Sequence, residues 1–368
     1  MTSQTILGIR SDRVEPAFLE TVGTHIARVN DELDELVASS SRLVEDAGRH
    51  TLSAGGKRLR PALVAIVAES TGKPFDGKRA ARIGAAMELV HMATLMHDDV
   101  IDHASTRRGR PTAGSVFGNT AAILTGDVLL AKAMSVLAHD GDLRIIRMVS
   151  DMVVQMAEGE VRELEVRGNV HLSEDEHTEI LRMKTAEFVR ACCQAGALLA
   201  GLGEADAGEI GAYGFHIGMA FQIVDDLLDY EGDSEAIGKL RATDFREGCA
   251  TYPLILVRPH LTEAELALVE RKFGNGVSDD ELRLIVQCTS AARWPPPAPS
   301  PITTCPRPRP ASHRFRRRRE GPCSRLWPRP SSPERREPVS PRRLRSRRHA
   351  LSWRRAGGTR RRGSASPA

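Results

Sequence analysis

The sequence predicts an all-α fold: a bundle of long helices followed by a tail that has no means of folding with it. From Pro16 to about Cys288 the apolar residues recur mostly at spacings of three and four, Ala, Leu, Glu and Arg dominate, and no sustained strand-like alternation interrupts them. With 368 residues, 41% of them hydrophobic, the chain can bury a large core. Several of the helical stretches exceed 20 residues. Sequential helices of that length pack as a bundle, in which ligand sites form from side chains facing inward.

The first stretch, 16–48, begins at Pro16, and the second, 55–71, is opened by Gly55-Gly56-Lys57-Arg58-Leu59-Arg60-Pro61 and closed by Thr71-Gly72-Lys73-Pro74. The third, 78–102, ends in an acidic cluster, and Thr106-Arg107-Arg108-Gly109-Arg110-Pro111-Thr112 follows it. The fourth, 118–139, is richest in apolar residues, and His139-Asp140-Gly141-Asp142 separates it from the fifth, 142–168. The sixth, 174–201, carries Lys184 and Thr185, the seventh, 205–231, ends in a second acidic cluster, and the eighth covers 249–270. No repeat of fixed period is present.

The net charge of +4 hides two unlike segments. Residues 291–368 hold 22 of the 52 basic and 3 of the 48 acidic residues, so residues 1–290 carry 30 basic against 45 acidic. All 3 Trp and 15 of the 21 Pro lie in the tail as well, and its 22 basic residues are all Arg. Lys would serve a basic patch equally well, so this bias points to a G+C-rich gene read in the wrong frame rather than to protein chemistry. The chain therefore divides into a helical domain, 1–290, and an Arg/Pro-rich tail, 291–368, that is non-globular, either disordered or frameshift-derived. Such a tail binds polyanions nonspecifically, and no specific nucleic acid is expected.

Even the richest apolar stretch, Ala121 to Ala138, is interrupted by Asp127 and Lys132, so no membrane span is expected. The N-terminus, with Arg10, Asp12 and Arg13 around a short apolar run, does not read as a signal peptide. The six Cys have no metal-like spacing, and a reduced, cytoplasmic protein without disulfides or structural zinc is expected.

The acidic clusters carry the chemistry. Asp98, Asp99 and Asp102, and again Asp225, Asp226 and Asp229, stand at i, i+1 and i+4 on otherwise apolar helices. The i and i+4 carboxylates share one face, where their repulsion makes sense if a cation lies between them. All-oxygen ligands favour Mg²⁺ or Ca²⁺, and Mg²⁺ takes one or two carboxylates while completing its shell with water and substrate phosphates. Two such clusters could grip one diphosphate through several ions. The basic pieces complement them: the helix opening at Lys57–Pro61 is an anion site, and Arg107 and Arg108 follow the first cluster closely enough to clamp phosphate oxygens.

The paired DDxxD motifs, together with GGKRLRP, RRGxPT, KT and FQxxDD, resemble the trans-isoprenyl diphosphate synthase family, the polyprenyl synthetases, from about residue 20 to residue 287. The resemblance implies an isoprenoid-synthase-type helical bundle with a central cavity. It implies a homodimer that joins isopentenyl diphosphate to an allylic diphosphate with Mg²⁺, three ions with bound diphosphate. Asp98, Asp102 and Asp225 would be metal ligands, supported by Asp99, Asp226 and Asp229. Lys57, Arg60, His91 and Arg108 would hold isopentenyl diphosphate, and Arg107, Lys184, Thr185, Gln222 and Lys239 would face the allylic substrate, with Lys184, Thr185 and Gln222 beside the reacting carbon.

In this family the residues below the first cluster set product length. Ala93 and Thr94 are small, which implies an open tunnel and a product longer than C20; such a product would bring the enzyme to the membrane surface. The chain departs from the family at Cys249, where Lys is usual, and after Gln287, where the family's last helices belong; their loss would expose apolar surface. The alternatives are a geranylgeranyl or farnesyl diphosphate synthase, and an inactive or partner-dependent subunit of the same family. A class I terpene cyclase is disfavoured by Asp225–Asp229 and by Lys57–Arg60.

Overall fold

A computed structural model describes residues 5–6, 9–10, 16–231 and 242–288, which all fall in one unit. Two short strands, β1 (Thr5–Ile6) and β2 (Ile9–Arg10), pair antiparallel ahead of the helices. The helices then follow: α1 (Pro16–Val37), α2 (Arg42–Ser53), α3 (Leu59–Ser70) and α4 (Gly77–Ile101). A small hairpin, β3 (Thr106–Arg107) with β4 (Arg110–Pro111), leads to α5 (Ala113–Phe117), α6 (Asn119–Asp140), α7 (Leu143–Val166) and α8 (Glu174–Leu181). A π-helical turn, Arg182–Ala186, joins α8 to α9 (Glu187–Leu199), and α10 (Glu204–Glu231) is the longest helix described. Beyond it lie α11 (Thr243–Glu247), α12 (Tyr252–Val257), a 3₁₀ turn (Arg258–His260), α13 (Glu263–Lys272) and α14 (Asp279–Cys288).

Local chemistry explains where the helices start and stop. Asp76 and Asp142 accept backbone N–H groups at the starts of α4 and α7, and Ser173 with Glu176 and Thr262 with Glu265 form capping boxes for α8 and α13. The expected stretch 16–48 is two helices. Serines 39–41 break it, with the N–H of Ser39 donating to the Glu45 carboxylate at 3.2 Å. The expected 249–270 is likewise divided, because Pro253 and Pro259 can each start a helical turn but not lie within one, and Thr262 caps a new start. The helical pattern that extends to Cys288 ends in α14, a separate helix not drawn from the sequence.

The main core is built from α1, α3, α4, α6, α7 and α9, with Leu33, Ile83, Met87, Leu89, Met96 and Leu129 all essentially inaccessible. A second core gathers Tyr230, Phe245, Leu254, Phe273 and Ile285 around the end of α10. By length and composition alone α6 could cross a membrane, even with Asp127 and Lys132 within it; here it packs on α4, burying Ala122, Leu129, Ala133 and Leu137. The described cysteines, Cys192, Cys193, Cys249 and Cys288, form no disulfide with one another. One flank of α10 is left in water: Tyr213, Ile217, Phe221, Val224 and Leu228 recur at helical spacing with 37–55% exposure.

Candidate active site

The first acidic cluster ends α4. Asp99 is buried and accepts from Nε of Arg107 at 2.7 Å, while Asp102 caps the helix and pairs with Arg167 at 2.8 Å. Asp98 immediately precedes Asp99. Burial, then the carboxylates of Glu160 and Asp102, push its carboxyl up to about 7 against the pull of Lys184 and Arg107.

Arg107 reaches Asp99 because β3 and β4 turn on Arg108 (φ 54°) and Gly109 (φ 73°), two consecutive left-handed residues of a two-residue hairpin loop. The turn presents Arg108 to the carbonyl of Gly55, and Arg110 donates to the carbonyl of Ser53 at 2.6 Å, fastening the hairpin to the end of α2. A pocket forms there, lined by Arg58, Glu88, His91, Asp99, Arg107 and Arg108 among others. His91 is held neutral: burial lowers its pKa well below the usual imidazole value, and Arg60, Arg108, Arg107 and Arg58 all act in the same direction. Arg58, given no separate role in the sequence, takes a left-handed backbone (φ 50°) ahead of α3 and pairs with the buried Glu88 at 3.0 Å. Its neighbour Arg60 lays its guanidinium over the Phe188 ring at 4.6 Å, and its buried Nε has no hydrogen-bond partner among the described residues. Lys57 is exposed on the loop.

Across from this pocket, the ammonium of Lys184 sits between Glu160, at 2.7 Å, and Glu163. Burial opposes its charge, but the two carboxylates outweigh burial and raise its pKa. Lys184 lies in the π turn, whose extra residue per turn resets the helix face that follows. Two glycines make room for it. A Cβ on Gly159 of α7 would lie 2.7 Å from Cβ of Met183, and one on Gly218 of α10 would lie 2.7 Å from Cα of Ala186.

The second cluster is tied through the same turn. Thr185 Oγ1 donates to Gln222 Oε1 at 3.1 Å, Gln222 Nε2 donates to Asp226 Oδ1 at 3.4 Å, and His177 Nε2 meets Asp226 Oδ2 at 2.8 Å. Asp225 is exposed, and Asp229 accepts the N–H of Asp244 at 3.0 Å. Lys239 lies outside the described residues. At Cys249, burial pushes the thiol up to about 12, so the position is uncharged. Arg167 acts on it from the adjoining turn, which the Gly168 N–H bonds to the Gly248 carbonyl at 2.7 Å.

Among the described residues, no three acidic, His or Cys side chains converge tightly enough to hold a metal alone. A Mg²⁺ ion needs only one or two carboxylates when phosphates complete its shell. The donor set also fits: oxygen ligands only, with Asp98 in a place where negative charge is under-compensated. Arg167, His177, Glu160 and Glu163 were not found by sequence reasoning. Only the glycine between Glu158 and Glu160 offered a local hint of close packing.

The polyprenyl synthetase family profile matches residues 41–288. The octaprenyl diphosphate synthase of Escherichia coli (strain K12) is 33% identical over 272 residues, covering 74% of this chain and 84% of that relative. Among solved structures, a decaprenyl diphosphate synthase from Rhodobacter capsulatus superposes with a TM-score of 0.69 at 34% identity, over 74% of this chain and 84% of the other. A polyprenyl synthase from Caulobacter crescentus CB15, complexed with calcium and isoprenyl diphosphate, gives a TM-score of 0.70 at 32% identity, over 78% and 85%.

Proposed function

The chain belongs to the polyprenyl synthetase family, and from that premise we propose that it is a Mg²⁺-dependent trans-prenyltransferase joining isopentenyl diphosphate to an allylic diphosphate to build a long-chain polyprenyl diphosphate. One observation carries the reading. Each acidic cluster has a buried aspartate held by a neighbour, Asp99 by Arg107 and Asp226 by His177, and Asp99 with Arg58, Arg107 and Arg108 lines a pocket at the first cluster. The relative crystallised with calcium and isoprenyl diphosphate supports a divalent cation here.

Asp98, Asp102 and Asp225 would hold Mg²⁺, which when bound neutralises charge gathering on the departing diphosphate. Arg108, Arg60, Lys57 and the neutral His91 bind isopentenyl diphosphate, the guanidiniums by charge and the imidazole as a hydrogen-bonding group. Arg107 and Lys184 serve the allylic diphosphate, joined by Lys239. As the allylic carbon–oxygen bond breaks, Thr185 and Gln222 present fixed dipoles to the delocalised cation. The isopentenyl double bond attacks that cation, and the proton lost in forming the new trans double bond goes to the released diphosphate. The enzyme acts as a homodimer in the cytoplasm on this reading, with the product's growing chain passing Ala93 and Thr94. Incubation with labelled isopentenyl diphosphate, an allylic starter and Mg²⁺ should yield alcohols longer than C20 after dephosphorylation; products no longer than C20 would overturn the long-chain reading.

The exposed stripe on α10, Tyr213 to Leu228, favours a second reading in which the chain works only with a partner subunit. Turnover by the isolated chain excludes it.

A further inference from the structure

His177 comes from α8, outside every motif that identifies the site, yet its Nε2 lies 2.8 Å from Oδ2 of Asp226 in the second acidic cluster. Both His177 and Asp226 are only 4% exposed, and their 2.8 Å contact lies wholly inside the protein. A carboxylate can only accept, so Nε2 of His177 carries the proton and donates it to Oδ2. The ring is fixed on its other side by Tyr252, packed edge-on with centroids 5.0 Å apart, and the Tyr252 hydroxyl is fixed in turn by Thr178 Oγ1 at 2.7 Å. Three elements, α8, α10 and α12, therefore agree on one position for Asp226.

That position decides the sense of an amide. The second oxygen of Asp226 takes Nε2 of Gln222, which leaves Oε1 of Gln222 directed to the Thr185 hydroxyl. Were the Gln222 amide reversed, its oxygen would oppose the Asp226 carboxylate and its NH₂ would point to the side from which Thr185 approaches. A carbonyl oxygen stabilises a nearby carbocation, whereas an NH₂ group destabilises it. Building on the prenyl-transfer reading above, we propose that His177 is a positioning residue: by anchoring Asp226 it holds the Gln222 amide with its oxygen toward the reacting carbon.

The test compares the parent chain with His177→Phe, which keeps a ring against Tyr252 but removes the donor, and with His177→Gln, which restores an N–H at about the same reach. Turnover by the parent tests the underlying reading; only the ratio of variant to parent tests this one. His177→Phe should lower kcat by at least about tenfold while KM for both substrates stays within about twofold. The rise in melting temperature given by Mg²⁺ with inorganic diphosphate should be kept, and His177→Gln should recover most of the lost kcat. Adding Gln222→Ala to His177→Phe should cost little more than the worse single change, because both act through one amide. Unchanged kcat in His177→Phe, loss of the Mg²⁺–diphosphate stabilisation, additive losses in the double variant, or no recovery in His177→Gln would each overturn the proposal. Should His177→Phe fail to fold, His177→Leu, which also lacks the donor, takes its place in the same comparison with Gln222→Ala.

Discussion

Arg107 holds the carboxylate of Asp99 at 2.7 Å, and this single pair divides the first acidic cluster into two kinds of aspartate. Asp99 is satisfied, buried and turned toward the arginine pocket. Asp98, next in sequence but about 100° away around the helix, keeps a carboxyl that burial and Glu160 make hard to ionise. In the second cluster His177 holds Asp226 in a similar way, at 2.8 Å.

Asp98→Ala and Asp225→Ala should therefore each abolish prenyl transfer, by a factor of about 100 or more, since losing a metal ligand forfeits several kcal/mol of transition-state stabilisation. Helical circular dichroism should be unchanged, because neither side chain is part of a core. Near-normal turnover in either variant at saturating Mg²⁺ would remove that residue from the metal site.

Asp98 also predicts how stability depends on pH. Its carboxyl is raised from 3.8 to about 7 in the fold, so between those values the folded chain binds more protons than the unfolded one, and stability falls as pH rises through the window. Without metal, melting temperature should decline from about pH 4 to about pH 7 more steeply in the parent than in Asp98→Asn. Mg²⁺ should stabilise the parent most at pH 7 and above, where the carboxylate it needs is ionised.

The parts of the site that were legible in the sequence are those written locally. Asp98 and Asp102 share a helix face by spacing alone, and Arg107-Arg108-Gly109-Arg110 declares its turn by the glycine and its role by its charge. Arg167, Glu160 and His177 could not be read that way, because each acts across a helix interface on a partner 24 to 65 residues distant. The π turn at Lys184 was invisible for a related reason. Its existence depends on Gly159 and Gly218, which lie on other helices and become informative only once α7, α9 and α10 are packed together.

Those glycines give a third expectation. In Gly159→Ala the new methyl would meet Met183 Cβ at 2.7 Å and Lys184 Cγ at 3.1 Å, so either α7 or the π turn must move. Overpacking of this kind costs roughly 1–3 kcal/mol, visible as a lower midpoint in urea. Turnover should fall further than stability accounts for, because Lys184 and Thr185 ride on the displaced turn. An alanine at 159 that leaves both unchanged would show that the turn has slack.

Ala93 tests the path of the growing chain. It lies five residues before Asp98, about 7.5 Å down α4, and is 1% exposed among core side chains. If product passes this point, Ala93→Phe should shorten it while the early condensations continue at similar rates, and chromatography of the dephosphorylated alcohols reads the change. An unchanged distribution in a folded, active variant would place the path elsewhere.

The tail offers the cleanest separation of charge from fold. Residues 291–368 contain no apolar periodicity able to pack on a bundle, whereas α14 ends at Cys288 with Leu282, Ile285 and Cys288 buried. A chain ending at Cys288 thus keeps the second core whole, and it should match the full chain in turnover and melting temperature. Its formal charge, however, moves from +4 to about −15, since the tail holds 22 basic and 3 acidic residues. Counterion release from a polyanion scales with the number of cations engaged, so retention on heparin should vanish with the tail while the α10 stripe keeps both forms equally prone to bind a hydrophobic dye. Loss of activity on truncation, with helicity intact, would make the tail a working part of the enzyme and exclude a frameshift as its origin.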